Sequence, residues 1–109
     1  MQEVLQLKTK AQYYEEVGDY DKAERLLSRA VALKERSLGS DHAAMAEDFH
    51  KLGMLNLALE NHDRAEELLV RALGIRRQQL GANHPDVLET LNAISLVHLE
   101  HEFTASHWA

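Results

Sequence analysis

Apolar residues recur along this chain three and four positions apart, with charged residues between them. In "YDKAERLLSRAVALKERSLG", residues 20 to 39, Ala23, Leu26, Leu27, Ala30 and Leu33 fall on one side of a helical wheel. In "HDRAEELLVRALGIRRQQLG", residues 62 to 81, Ala65, Leu68, Leu69, Ala72 and Ile75 do the same. The spacing predicts two amphipathic helices of about five turns each, closed by Gly39 and Gly81 in the left-handed conformation that ends helices. Segments 2–17, 43–59 and 85–101 carry a similar period. The pattern therefore predicts an all-α chain of five helices in antiparallel hairpins.

The two long helices are copies of each other. An offset of 42 aligns Gly39 with Gly81, and residues 21 to 42 then match residues 63 to 84 at ten of 22 positions. A duplication of this period signals a helical repeat array and takes precedence over any single motif. The copied joints read "LGSDHAAM" and "LGANHPDV". Asp41 and Asn83, or His42 and His84 after them, are placed to cap the following helix, and Pro85 suits a first helical turn because its missing N–H would be unpaired there. Capping and loop packing account for both histidines without a ligand. The alanines at 23, 30, 65 and 72 let neighbouring helices approach closely.

On these residues the chain resembles the tetratricopeptide repeats. Phe49, Leu52, Gly53, Ala65 and Leu69 match the family pattern, with Asn56 where tyrosine is usual, and the first unit offers Leu7, Ala11, Tyr14, Gly18, Tyr20, Ala23 and Leu27. The 42-residue period and the Leu-Gly-x-x-His joint are similar to the kinesin light chain subclass, although Ala43 stands where the first joint would carry proline. The resemblance implies an α-α superhelix of about two and a half repeats in a single domain, with units near 1–40 and 41–82 and an incomplete unit at 83–109. It also implies a noncatalytic adaptor that binds a peptide or protein surface in the concave groove lined by the first helices. Transferred by position, the groove residues are Lys8, Gln12 and Glu15, then Glu47, His50, Met54 and Leu57, then Glu89, Asn92, Leu96 and Leu99. Asn92 matches a place where the subclass uses asparagine to hold peptide backbone, and His50 replaces it one unit earlier. The basic clamp that some members use for a terminal carboxylate is not matched. A narrower role follows from the resemblance as well: small bacterial proteins similar to kinesin light chains accompany bacterial tubulins and connect the filament to membranes.

Composition narrows the alternatives. The 109 residues carry 18 acidic against 12 basic side chains, a formal charge of -6, which disfavours nucleic acid and gives no charge-based indication of membrane contact. Without cysteine there is no disulfide, thiol nucleophile or cysteine-ligated metal. No apolar run approaches a membrane span, and "MQEVLQLKTK" lacks the features of a secretory signal, so a cytoplasmic location is expected. No Gly-x-Ser-x-Gly elbow or phosphate-binding glycine loop is present, and the expectation is no enzyme activity and no cofactor. The rival reading, a small metal-binding protein or enzyme, rests on His98 and Glu102, four apart on one helical face, with His101 nearby. Glu15-Glu16 and Glu66-Glu67 read as solvated faces, and Arg76-Arg77 as complements to a helix dipole. The third unit stops after its first helix, which would leave Ile94 and Val97 partly uncovered. Self-association or partner docking is expected there, with Phe103 and Trp108 at the edge.

Overall fold

Local rules set where each helix starts and stops. The computed structural model describes residues 2 to 108, with side chains through residue 104. It contains α1 (Gln2–Glu16), α2 (Tyr20–Leu38), a 3-10 turn at Ala43–Met45, α3 (Ala46–Ala58), α4 (His62–Leu80) and α5 (Pro85–Trp108). Asp19 Oδ1 accepts a hydrogen bond from Lys22 N at 3.2 Å and so caps the start of α2. At both joints the histidine takes the capping role: His42 Nδ1 accepts from Ala44 N at 3.0 Å, and His84 Nδ1 from Asp86 N at 3.1 Å. With Pro85 in place α5 begins at once, whereas Ala43 opens a 3-10 turn before α3 starts.

The glycines that close α2 and α4 differ from expectation. Gly39 and Gly81 have φ of 88° and 87°, but ψ of 155° and 159° puts them outside the left-handed helical region, in one that is essentially glycine-only. A Cβ at Gly81 would meet nothing within 4 Å, so a substitution there is penalised by backbone conformation alone. Gly81→Val is expected to lower stability by about 1–3 kcal/mol, read as a fall in the thermal midpoint at unchanged helicity. An unchanged midpoint would mean that the joint relaxes around the new side chain.

The helices form an all-α superhelix of antiparallel hairpins, α1 with α2 and α3 with α4, onto which α5 packs. The thinnest dimension, 20 Å, is about two helix diameters. The main core joins Ala11 of α1, Leu27 and Val31 of α2, Met45, Phe49 and Leu52 around α3, and Leu68 and Ala72 of α4. At Gly53 an added Cβ would lie 2.8 Å from Leu69 Cγ and 3.3 Å from the Ala65 carbonyl, so α3 and α4 approach closely there. A second cluster ties Leu57, Ala65 and Leu69 to Ala93 and Val97 of α5.

Two expectations about α5 are corrected. Its backbone continues as helix to Trp108 instead of stopping near residue 101, so the tail does not fold back; the Trp108 side chain lies outside the described residues. Val97, expected at a partly uncovered surface, is 1% exposed, and Ile94 is half-buried beside it. Both face α4 and α3, because a first helix packs against the hairpin before it as well as against its own second helix. Among the described residues, the exposed large apolar side chains of α5 are Leu88, Leu96, Leu99 and Phe103.

Candidate functional site

Two buried contacts, related by the offset of 42, hold successive first helices together. Asp48 of α3 is 1% exposed and receives Lys34 Nζ from α2 at 2.5 Å and Lys8 Nζ from α1 at 2.8 Å. Lys34 Nζ also donates to the Ala44 carbonyl at 3.1 Å. Forty-two residues on, the same positions carry Arg76, Thr90 and His50. Arg76 Nη1 donates to Thr90 Oγ1 at 2.9 Å and to the Asp86 carbonyl at 3.2 Å, and His50 Nδ1 lies 3.3 Å from Thr90 Oγ1. Each second helix thus sends one cation over the next joint, where it grips a carbonyl and a buried polar side chain. Lys8 and His50, two of the predicted groove residues, form the inner rim of these braces. Asn92 is the third member of the series 8, 50, 92; it is exposed.

The second brace biases His50 toward its neutral form. Burial, then the neighbouring Arg76 guanidinium, hold its pKa below the usual histidine value, while Glu89 and Asp86 oppose the shift. His50 Nδ1 lies 3.5 Å from Arg76 Nη1, and Nε2 lies 3.6 Å from Glu89 Oε1. Neutral His50 in the fold means that the unfolded chain takes up a proton there first as the pH falls below about 6.5. Its contribution to stability is therefore full above that value and is lost toward the lowered folded pKa. Thermal melts between about pH 7.5 and pH 5.5 should show a smaller acid-induced loss for His50→Gln than for the native chain. Equal losses would place the pH sensitivity in other groups.

The remaining predicted residues divide by helix. Lys8, Gln12 and Glu15 of α1 line a cleft of about 170 Å³ between α1 and α3, floored by Ala11, Leu27 and Leu55 and edged by Leu5, Thr9 and Lys51. Leu5, 66% exposed, and Lys51 were not among the sequence candidates. Position 9 is where the offset would have found Lys51. Glu47 is exposed, but Met54 is half-buried and Leu57 is buried in the second core cluster, so those two serve packing. Glu89 is held by Arg76 Nη1 at 3.1 Å, which draws it into the second brace. Leu96 and Leu99 remain exposed on α5. Arg76, expected to complement a helix dipole, has a side chain only 11% exposed and reaches His50 of α3 and Thr90 of α5.

His98 and His101 of α5 both make contacts with α4. His62 and His101 stack with ring centroids 4.8 Å apart and planes at 4°, and His98 Nε2 contacts Glu66 Oε2. Among the described residues no group of three or more His, Asp or Glu side chains converges as a metal would require. His62 Nε2 is buried without a hydrogen-bond partner, its ring lying flat against His101.

Helical hairpins stacked so that their first helices share one face define the class of helical-repeat binding scaffolds. The Tetratricopeptide repeat family model matches residues 3–78 and 49–103, and the chain belongs to that family, whose repeats serve protein–protein interaction. Among solved structures, the crystal structure of BtubC (BKLC) from P. vanneervenii is similar, with a TM-score of 0.75 and 25% sequence identity over 87% of this chain and 38% of that one. The chain thus spans well under half the length of that neighbour. No curated protein matches it by sequence. Among the described residues no helix is long and apolar enough to cross a membrane.

Proposed function

We propose that the chain is a noncatalytic adaptor, resident in the cytoplasm, that binds a peptide or protein segment along the face shared by α1, α3 and α5. The cleft between α1 and α3 carries this reading. It has an apolar floor, polar walls from two helices, and room on the order of one large apolar side chain. Gln12 and Glu15 offer hydrogen-bonding groups to a bound backbone, and Asn92 extends the same line of positions onto α5. A partner captured from native cell extract and then purified would be titrated against Thr9→Trp, which fills the cleft from an exposed position. Affinity reduced about tenfold or more at unchanged helicity supports the cleft; unchanged affinity places binding on another face.

A narrower reading, a cytoskeleton-associated adaptor of the kinesin light chain kind, is favoured by two observations. One is the 42-residue period with its Leu-Gly-x-x-His joints. The other is the likeness to BtubC. Co-sedimentation with filaments of bacterial tubulin tests it, and a chain that stays in the supernatant at every filament concentration would count against it.

A further inference from the structure

Successive first helices meet differently at the two repeat interfaces, and the offset of 42 shows how. The cleft between α1 and α3 is floored by Ala11, Leu27 and Leu55 and walled by Gln12 and Glu15 of α1 and Lys51 of α3. Forty-two residues on, the floor positions hold Gly53, Leu69 and Val97, and the wall positions hold Met54, Leu57 and Ala93. All of these but Gly53 belong to one apolar cluster, in which Leu57, Leu69, Ala93 and Val97 are buried and Met54 packs against them. An open cleft of about 170 Å³ at the first interface thus corresponds to packed core at the second, filled from α3 by the Met54 and Leu57 side chains. Gln12 and Glu15, which hold those filling positions in α1, are exposed, and Gln12 Nε2 is turned to Glu16 Oε1 at 3.3 Å.

We infer that the α1–α3 cleft takes one leucine or methionine side chain from a basic segment of the partner, which supplies from outside what Met54 and Leu57 supply from within at the second interface. This rests on the adaptor reading above and narrows its ligand. The floor is apolar at both interfaces, and the side chains that fill the counterpart space are flexible and aliphatic or thioether, so the same kind of side chain suits the open cleft. Charge selects what flanks it. Lys8 Nζ is drawn to buried Asp48 at 2.8 Å, and Lys51 Nζ lies 3.9 Å from Glu47. The Glu15 carboxylate has no hydrogen-bond or ion-pair partner among the described residues, and it stands where Leu57 stands in the packed cluster. A lysine or arginine beside the anchoring side chain answers Glu15, and a chain of formal charge -6 attracts such a segment.

Short capped peptides of the form Ser-Lys-X-Lys-Ser, with leucine, methionine, tryptophan or serine at X, test the inference when titrated into the full chain and followed by amide NMR. The leucine and methionine peptides should shift the amides of Thr9, Gln12, Lys51 and Leu55 and bind about tenfold more tightly than the serine peptide. They should also bind more tightly than the tryptophan peptide, whose flat ring matches neither filler of the counterpart space. Exchanging the flanking lysines for glutamates should weaken the leucine peptide about threefold or more at low salt, and Glu15→Gln should remove that difference. Gln12→Met with Glu15→Leu copies Met54 and Leu57 into α1. That double variant should fill the cleft, raise the thermal midpoint and abolish the shifts, with circular dichroism confirming the helices. Tryptophan or serine peptides that bind as tightly as leucine, a preference for flanking glutamates, a double variant that still binds, or peptides that move no cleft amide would each overturn the inference. The adaptor reading is judged separately by the captured partner: its weakening by Thr9→Trp stands even where the leucine preference fails, and its indifference to Thr9→Trp removes both.

Discussion

Asp48→Ala is expected to destabilise the chain by about 3 kcal/mol, among the largest effects of any surface-distant polar substitution in this fold. The carboxylate is 1% exposed and answers two ammonium groups at 2.5 and 2.8 Å. Removing it leaves Lys34, whose side chain is 14% exposed, with only the Ala44 carbonyl. Lys8, at 34%, recovers part of its hydration, which keeps the loss toward the lower end of the range for broken buried pairs. Chemical denaturation measures it as a lower midpoint at unchanged slope. The second brace suggests a partial remedy: Lys34→Arg with Asp48→Thr reproduces the Arg76–Thr90 pair, and the double variant should be more stable than Asp48→Ala. If it is not, the two braces are not interchangeable despite their common positions.

Phe49→Ala should cost about 3–5 kcal/mol. Its ring is fully buried in the core shared by both hairpins, so truncation opens a cavity that rigid helices on either side cannot close. The Arg71 guanidinium, 4.1 Å above the ring, loses its apolar platform as well. Arg71 also bridges to Glu35 at 2.5 Å, and a hydrogen bond from Ser40, then that from Arg71, hold the Glu35 carboxyl below the usual carboxylate range. The comparison is Leu99→Ala, 63% exposed, which should move the stability of the monomer by no more than about 0.5 kcal/mol. Similar losses for both would contradict the core assigned here.

The helical period and the duplication were legible in the sequence because burial on one side of a helix leaves a regular trace. Ala23, Leu27, Ala65, Leu68 and Leu69 are buried as that trace requires. The end of α5 was harder to place: no glycine or proline follows Pro85 to stop the helix, and the apolar period through residue 101 does not mark where it ends. Val97 was assigned to the wrong side for a related reason. Periodicity shows that a helix has an apolar face, but α5 has two apolar sides, and only the packing distinguishes the one turned to α4 from the one turned outward. Lys8, Gln12 and Glu15, which line one cleft, were readable from their spacing on one side of α1. The contacts that turn Lys8 and His50 inward were not, since they join residues far apart in the chain. Their signal was nonetheless present in the duplication, where positions 34 and 76 are both basic and positions 48 and 90 are both polar.

Because α5 is supported along one side only, it can open without disturbing the hairpins that precede it. Opening α3 would instead expose the core shared by both hairpins. Local unfolding free energies should therefore descend from α3 toward α5, whose amide protons exchange through local opening and not through global unfolding. Anything that covers the outer side of α5 then acts first on that gradient, raising protection in the last helix before it changes the shape of the rest.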